Sequence, residues 1–333
     1  MKNILILGGT GFVGRILSEK LSQTGHKVTL FNRGKRNPDL FPQFRKIKGD
    51  RNTEDIFSIA TGNWDVVIDF SGFFPDNIEA IAGMLKGNAG RYIFISSASV
   101  YDVAHPSGLT YPIKEEFHLL PCTYEQRIDK HPFNFYGNKK AECERILLKS
   151  DWIDVIIYRP ALIYGRYDPT DRFYYWLYRA KTAKEILMPE DGVTEHTNTY
   201  SEDFAQVLFN SIDMKEHRPV YNAVTHPGCS IKDMVKYMSG IFKTKPEFIN
   251  APAEFLAKNN VSEWVGLPLW IKDFKFILDN SKLLEDMDIK FKSFKDSIAE
   301  TAEYYSGLGW YEPKEGLALS REKELIALLK SSK

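Results

Sequence analysis

The chain has 333 residues, which is long enough to bury a full core and predicts about two domains or lobes. Its 44 lysines and arginines balance 44 aspartates and glutamates, so the bulk charge does not favour nucleic acid or an anionic membrane surface as a partner. The apolar start, Ile4–Leu7, is too short for a signal peptide or a membrane span, and no later apolar run is long enough. We therefore expect a soluble, cytoplasmic protein without a membrane partner.

Cysteine and histidine spacing gives no support for a disulfide framework or a metal site. The three cysteines, Cys122, Cys143 and Cys229, lie far apart without C-x-x-C spacing, which suits a reducing compartment. The seven histidines show no H-x-x-x-H or H-x-x-E-H arrangement. We predict ordinary thiols and no bound metal.

Residues 4–14 predict a strand, a tight turn and a helix. Four apolar residues run into glycines, and a helical apolar spacing begins at Val13. The turn satisfies G-x-G-x-x-G on Gly9, Gly11 and Gly14, a spacing that lets backbone amides approach a pyrophosphate at the helix N-terminus. We expect a dinucleotide cofactor here; the alternative is a glycine-rich turn without a ligand. The expected contacts are Gly8, Gly9, Thr10, Gly11, Phe12, Val13 and Gly14.

The residues after the second predicted strand, His26–Phe31, bear on the choice of cofactor. In a dinucleotide fold the end of this strand meets the adenosine ribose, where an acidic residue would bond the 2′-hydroxyl and repel a 2′-phosphate. Asn32 and Arg33 stand there instead, with Lys35 or Arg36 in reserve as cations. Charge-assisted pairing with a 2′-phosphate favours NADP, and NAD is the second choice. The alternative is that these basic residues form a solvated loop.

A short third strand is predicted over residues 46–51. Asp50 at its end can accept a hydrogen bond from the adenine amino group, and we assign Asp50 and Arg51 to the cofactor. An equally supported alternative makes Asp50 the N-cap of a helix over residues 52–60.

The fourth to sixth strands complete the predicted fold. Residues 64–70 form a nearly continuous apolar run, as a doubly covered parallel sheet requires, and Ser71 and Gly72 should follow it near the cofactor. Residues 91–97 and 154–158 read as the next two strands. Strands separated by helical patterns predict an α/β protein with a doubly wound parallel sheet, a Rossmann fold that binds NAD(P).

The second half of the chain predicts a smaller, mostly helical C-terminal lobe that would bind the substrate. We assign residues 1–165 and 197–228 to the dinucleotide-binding domain, and residues 166–196 and 229–333 to the substrate lobe. No repeat, linker or low-complexity stretch separates the two, so we expect a ligand cleft between them.

A serine, a tyrosine and a lysine carry the predicted chemistry. Ser97 ends the fifth strand, and Tyr136 and Lys140 share one face of a predicted helix because they are four residues apart. An ammonium beside a phenol would lower its pKa from about 10 towards neutrality, where it works as an acid or a base. Ser97 would bond the same substrate oxygen, with Ser99 as a substrate-binding neighbour. The alternatives are an interfacial tyrosine beside a solvated lysine, and a serine satisfied by backbone.

In the second lobe, Arg172 and Tyr174 are candidate substrate contacts. Arg172 with nearby aromatic residues would grip a phosphate and stack on a ring. Plain core packing of these aromatic residues is the better supported alternative. Thr170 or Asp171 is expected to cap the helix that follows.

Four motifs together resemble the extended short-chain dehydrogenase/reductases, the family of NAD-dependent epimerases and dehydratases. They are residues 8–14, 96–101, 136–140 and 158–165, and weaker matches at residues 200–205 and 279–283 extend the resemblance over nearly the whole chain. In that family the tyrosine is the acid/base, the lysine also bonds the nicotinamide ribose, and the serine polarises the reacting oxygen. By resemblance those roles fall on Tyr136, Lys140 and Ser97, and Arg159 and Pro160 become cofactor contacts.

One departure from the family pattern bears on the reaction. Sugar 4,6-dehydratases of this family carry an Asp-Glu pair directly after the active-site hydroxyl residue, where this chain has Ala98 and Ser99. Without a second proton-transfer pair, hydride transfer or 4-epimerisation is favoured over water elimination.

Three hypotheses follow for the function. The first is an NAD(P)-dependent oxidoreductase or epimerase that acts at a hydroxyl or keto carbon of a nucleotide sugar or a similar small polar molecule. The second is a non-catalytic cofactor-binding or RNA-binding protein, because residues 30–35, 49–51 and 64–69 resemble the branch that contains chloroplast stem-loop RNA-binding proteins and uncharacterised bacterial relatives. Neutral charge counts against nucleic acid. The third is a reductase of a non-sugar metabolite. The resemblance also implies a homodimer through the helices that flank Tyr136.

Overall fold

Within residues 1–104 and 107–331, which the computed structural model describes, the N-terminal part of the chain builds a seven-stranded parallel sheet. Its strands are β1 (Asn3–Leu7), β2 (Lys27–Asn32), β3 (Arg45–Lys48), β4 (Trp64–Asp69), β5 (Ala89–Ile95), β6 (Asp154–Arg159) and β10 (Val220–Asn222). Their order across the sheet is β10-β6-β5-β4-β1-β2-β3. Every neighbouring pair is parallel.

Helices cover this sheet as the alternation of strands and helices predicted. They are α1 (Phe12–Leu21), α2 (Pro75–Leu85), α3 (Tyr124–Ile128), α4 (Tyr136–Leu148), α6 (Ser201–Ser211) and α9 (Ser281–Asp286). α1 packs with α6, and α2 packs with α4. The core under α2 and α4 contains Leu5 and Leu7 of β1, so the alternating Ile4 and Ile6, which are also buried, face the other side. The predicted α/β class with a Rossmann-type parallel sheet is confirmed.

The C-terminal part is mostly helical, with short strands that the sequence did not predict. Its helices are α5 (Arg172–Thr182), α7 (Ile231–Phe242), α8 (Ala253–Lys258), α10 (Phe294–Gly307) and α11 (Leu319–Ser331). The remaining strands are β7 (Leu162–Tyr164), β8 (Glu185–Pro189), β9 (Glu195–Tyr200), β11 (His226–Ser230), β12 (Glu247–Ala251) and β13 (Lys275–Phe276). β12 pairs with β8 in parallel, whereas β9 pairs with β11 in the antiparallel sense.

The chain divides into two compact units whose borders lie within three residues of the predicted ones, except that one further segment belongs to the first unit. The first unit is Met1–Ile163, Thr199–Thr225 and Leu278–Phe291; the second is Tyr164–Asn198, His226–Ile277 and Lys292–Lys333. The sequence assigned residues 278–291 to the substrate lobe. In the structure this segment belongs to the first unit because Leu278 bridges to Ile113 and Asp286 forms an ion pair with Arg218.

Two helix starts differ from the sequence-based alternatives. A 3-10 helix over Glu54–Ile59 has Thr53 as its N-cap, and the Thr53 side chain accepts a hydrogen bond from the Asp55 amide. The alternative with Asp50 as N-cap is therefore wrong. Asp171 stands at the N-cap position of α5 but makes no capping bond, since its carboxylate accepts from Tyr311 and Lys314 instead. No helix in the described ranges is both long and apolar enough to cross a membrane.

A buried ion pair ties the residues after β3 to the end of β4. The Arg51 guanidinium donates to both carboxylate oxygens of Asp69, at 2.6 and 3.0 Å, and the Tyr92 hydroxyl donates to the same carboxylate at 2.7 Å. Asp69 is completely buried. Burial alone would raise the pKa of Asp69, but the Arg51 charge and the hydrogen bonds outweigh it and lower that pKa. Asp69 is therefore ionised and neutralises Arg51.

Replacing Asp69 by Asn should destabilise the first unit strongly. The change leaves the Arg51 guanidinium buried without a counter-charge, which costs about 3–5 kcal/mol when one partner of a buried pair is removed. We expect a loss of that size in the free energy of unfolding, measured by urea titration.

The matched control is Glu79→Gln, the same chemical change in an exposed pair, since the Glu79 side chain on α2 is 63% exposed where it meets Arg127. It should cost less than about 1 kcal/mol. Equal, small losses in both variants would contradict the assignment of a buried ion pair.

Candidate functional site

The glycine-rich turn between β1 and α1 has the geometry of a phosphate-binding loop. Gly8 and Gly9 have φ values of +116° and +87°, which L side chains rarely adopt. A Cβ at Gly14 would lie 3.1 Å from the Cα of Gly9, so α1 packs directly on the turn. α1 begins at Phe12, and the first amides of a helix favour an anion. The turn therefore fits the pyrophosphate of a dinucleotide.

Three predicted cofactor contacts follow β2, and each has different surroundings. The Asn32 amide nitrogen donates to the Gly8 carbonyl at 3.2 Å, and its oxygen accepts from the Gly34 amide at 2.9 Å. The Arg33 Nη1 atom lies 3.9 Å from Asp50 Oδ2. Lys35 is exposed. Asn32 thus connects the loop after β2 to the glycine-rich turn. The charge of Arg33 is partly neutralised by Asp50.

The predicted cofactor contacts after β3 and β4 separate into two groups. The Arg51 side chain is bound to Asp69 and, at 2.8 Å, to the Ser71 hydroxyl, so we assign it to the internal ion pair instead of the cofactor. Asp50 is only partly buried at the end of the third strand, and Gly72 is buried directly after Ser71. Asp50, Ser71 and Gly72 stay predictions as cofactor contacts.

After β5 the chain turns through a short 3-10 helix, Ala98–Val100, with Ser97 as its N-cap. We call residues 97–100 the serine turn. The Ser97 hydroxyl accepts from the Ser99 amide and donates to the Ser99 hydroxyl, each at 3.1 Å. The Ala98 amide donates to the Pro160 carbonyl at 2.8 Å. These bonds fix the Ser97 oxygen at the carboxyl end of the sheet, where parallel α/β proteins bind ligands.

Helix α4 approaches the serine turn so closely that only glycine fits at position 137. A Cβ at Gly137 would lie 2.1 Å from the Ser99 carbonyl oxygen. Tyr136 is the first residue of α4, and Phe135 before it has a left-handed φ of +51°. The close approach places Tyr136, the residue before Gly137, against the serine turn.

The ionisation of Tyr136 differs from the sequence-based expectation. Burial raises the pKa of Tyr136 above its usual value, and the hydrogen bond with Ser97 lowers it only in part. The structure therefore holds a protonated phenol, whereas the Tyr-x-x-x-Lys spacing predicted a pKa near neutrality.

The surroundings of Lys140 explain this difference. Its ammonium donates to the Ile95 carbonyl at 2.7 Å and lies over the rings of Phe94 and Phe73, at 4.6 and 5.1 Å from their centres. The centre of the Tyr136 ring is 6.0 Å away. Burial lowers the pKa of Lys140 to about 8. Lys140 shares the helix face with Tyr136 as predicted, but its charge is directed to a backbone carbonyl.

Arg159 lies in a polar network beneath the serine turn. Its guanidinium donates to both Glu144 carboxylate oxygens, to the Tyr101 hydroxyl and to the Glu115 carbonyl, and only 2% of the residue is exposed. Ser96 at the end of β5 donates to the same Glu144 carboxylate. We therefore assign the Arg159 side chain to this network; a cofactor contact of Pro160 stays a prediction.

In the second unit, Arg172 has the features expected of an anion contact. Its guanidinium carbon lies 5.4 Å from the centre of the Trp264 ring. Its Nε atom is buried and has no hydrogen-bond partner among the described residues. Burial raises the pKa of the neighbouring Asp168 to about 6, and the Arg172 charge opposes that shift. The substrate role of Arg172 stays a prediction.

Tyr174 is part of the aromatic core of the second unit. It is completely buried, its ring stacks on Tyr305 with centres 3.8 Å apart, and its hydroxyl donates to the Tyr311 carbonyl. This packing corrects the assignment of Tyr174 to the substrate, since neither its ring nor its hydroxyl is accessible.

Three features of the site were missed from the sequence. Gly137 carried a signal, because glycine is unfavourable inside a helix and needs a packing reason. The pairs Arg51–Asp69 and Glu144–Arg159 carried none, because nothing local marks two distant charged residues as partners.

All three cysteines are free, and residues 1–104 and 107–331 contain no group of three or more metal-ligating side chains that could hold an ion.

Comparisons with known proteins identify the family of the chain. The family model for the NAD dependent epimerase/dehydratase family matches residues 4–223. The chain is 30% identical over 239 residues to the chloroplast stem-loop binding protein of 41 kDa b of Arabidopsis thaliana, which covers 66% of this chain and 58% of that protein. It is 22% identical over 360 residues to an Arabidopsis thaliana trifunctional UDP-glucose 4,6-dehydratase, epimerase and reductase, covering 98% of this chain and 50% of that protein. The chain thus spans only about half the length of these relatives.

Solved structures share the fold. Bordetella bronchiseptica WbmG in complex with NAD superposes with a TM-score of 0.71 and 20% identity, covering 93% of this chain and 96% of that one. UDP-glucose 4-epimerase from Thermotoga maritima with UDP-glucose gives a TM-score of 0.68 and 18% identity, covering 92% and 99%. Since the family model matches residues 4–223, well over half of the sequence, the chain belongs to the NAD dependent epimerase/dehydratase family.

Proposed function

We propose that this protein transfers a hydride at a hydroxyl or keto carbon of a nucleotide sugar or a similar small polar substrate, with Tyr136 as the acid/base. The observation that carries the proposal is the close approach of α4 to the serine turn at Gly137, which places Tyr136 against the turn that begins with Ser97. Membership of the epimerase/dehydratase family supports it.

The proposed proton chemistry follows from the contacts of three residues. Tyr136, protonated because burial raises its pKa, donates its proton to a substrate carbonyl oxygen. In the reverse direction the phenolate of Tyr136 takes the proton from the substrate hydroxyl. Ser97 bonds the same oxygen, and its orientation is set by Ser99. We assign the buried Lys140 ammonium to the nicotinamide ribose, because its charge is directed to the Ile95 carbonyl and not to the phenol.

A nicotinamide dinucleotide fits the glycine-rich turn, since the positive φ values of Gly8 and Gly9 and the tight packing at Gly14 leave backbone amides near the helix N-terminus. When bound, the cofactor accepts or supplies the hydride. The solved relatives WbmH and WbmG of Bordetella bronchiseptica bind NAD. We propose NADP as the preferred cofactor of this chain because residues 32–36, directly after β2, contain cations and no acid that would repel a 2′-phosphate, and the nearby Asp50 is paired with Arg33.

The substrate proposal rests on a cation and on the relatives. Arg172, with its unpartnered buried Nε beside Trp264, suits a phosphate and a ring. The Thermotoga maritima relative is a UDP-glucose 4-epimerase. Ala98 and Ser99 follow Ser97, so no carboxylate pair stands there for water elimination, and we propose epimerisation or simple hydride transfer.

The chloroplast stem-loop binding relative favours RNA binding as a second candidate function. The balanced charge of the chain opposes it, because phosphate contacts need a basic surface.

A reductase acting on a non-sugar metabolite would use the same tyrosine. We also propose a homodimer through α2 and α4, because α4 begins with Tyr136 and α2 packs against it.

Replacing Tyr136 by Phe should lower the rate of nucleotide-sugar conversion by about a hundredfold or more, because the proton donor is lost while the ring is kept. The rate is measured by nicotinamide absorbance and by product analysis over a panel of nucleotide sugars.

The matched control is Tyr124→Phe, which removes a hydroxyl from a tyrosine on α3 that is 72% exposed. Its turnover should equal that of the wild type. Full activity in the Tyr136→Phe variant would remove the proposed mechanism.

Replacing Gly137 by Ala should separate α4 from the serine turn. The added methyl group has no room beside the Ser99 carbonyl, so we expect a loss of about 1–3 kcal/mol in unfolding free energy. The displaced Tyr136 should cost about a hundredfold in turnover at equal protein concentration.

Gly83→Ala on α2 serves as the matched control, because a Cβ there would meet nothing within 4 Å. It should be neutral or gain up to about 1 kcal/mol, since alanine favours a helix. If Gly137→Ala behaved like Gly83→Ala in both stability and turnover, the packing argument would be wrong.

A further inference from the structure

The loop after β2 is fastened to the glycine-rich turn at both of its ends. Asn32 donates to the Gly8 carbonyl at 3.2 Å, and Asn37 donates to the Thr10 carbonyl at 2.8 Å. The Asn32 oxygen also accepts from the Gly34 amide, which closes the first part of the loop. Residues 33–36 are therefore held against the turn by two asparagine side chains.

This fastening places Arg36 over Gly11 at the start of α1. A methyl group on Gly11 would lie 2.9 Å from Arg36 Cδ and 3.0 Å from Arg36 Nη1. The residue is exposed, and its guanidinium has no hydrogen bond or ion pair within the described part of the chain. An unpaired guanidinium thus lies where the glycine-rich turn and the end of β2 meet.

The other two cations of the loop are less suited to bind an anion there. Arg33 Nη1 is 3.9 Å from Asp50 Oδ2, so part of its charge is neutralised, and its side chain is 59% exposed. Lys35 is exposed, and within the described residues it makes no contact with the glycine-rich turn. Asp50 would also repel a phosphate brought to Arg33.

We propose that Arg36, and not Arg33 or Lys35, is the residue that binds the 2′-phosphate of NADP and sets the cofactor preference. The inference rests on the proposed use of NADP and names the residue behind it. The adenosine ribose of a bound dinucleotide lies between the glycine-rich turn and the end of the second strand. A planar guanidinium at that junction can bond two phosphate oxygens at once.

Calorimetric titration of NADP and NAD into the full chain tests the inference. In the wild type NADP should bind more tightly. Arg36→Ala should lose about ten- to a hundredfold in NADP affinity, the effect of one charge-assisted hydrogen-bonded contact, with NAD affinity changed less than about twofold. Arg36→Lys should recover part of the loss because it keeps the charge. Arg33→Ala, the matched control, should change the ratio of the two affinities by less than about threefold.

The outcomes separate this inference from the cofactor proposal. An NADP preference that survives in Arg36→Ala, or that is lost in Arg33→Ala, overturns the assignment to Arg36 and leaves the cofactor proposal standing. Equal losses for NADP and NAD in Arg36→Ala also overturn it, because they indicate a contact with the shared pyrophosphate. A wild-type preference for NAD overturns both the cofactor proposal and this inference.

Discussion

The contact between the first turn of α4 and the serine turn is the constraint on which the candidate site depends. A hydrogen atom at Gly137 faces the Ser99 carbonyl where any side chain would overlap it. The first turn of α4 can therefore lie against the serine turn, which places Tyr136 beside the residues that follow β5. Glycine costs about 1 kcal/mol relative to alanine inside a helix, so the fold accepts a small loss of stability to bring two hydroxyl groups together.

Two buried ion pairs brace the sheet on either side of this contact. Arg51–Asp69 joins the ends of β3 and β4, while Glu144–Arg159 joins α4 to β6. Burying such charges is expensive, and a well-packed apolar pair would often be as stable. Their hydrogen bonds have defined directions, however, and Ser96 also bonds Glu144. The pairs thereby orient the strand ends that carry the candidate site.

The local pattern of the sequence was sufficient for the sheet and the glycine-rich turn, because apolar runs and glycine spacing are features of neighbouring residues. The helix carrying Tyr136 and Lys140 was likewise predictable from its apolar positions, and the four-residue spacing placed the two side chains on one face. The roles of Arg51, Arg159 and Tyr174 were not, since each depends on a partner far away in the chain. The pKa of Tyr136 also escaped prediction, because burial acts on it more strongly than the nearby lysine.

The most direct test of the account is a crystal structure of the chain with a nicotinamide cofactor and a nucleotide sugar bound. The account predicts the Tyr136 hydroxyl within about 3 Å of the reacting substrate oxygen, with Ser97 on the same oxygen. It also predicts the Lys140 ammonium at the nicotinamide ribose. A Tyr136 oxygen turned away from the nicotinamide ring, beyond proton-transfer reach of the substrate, would contradict it.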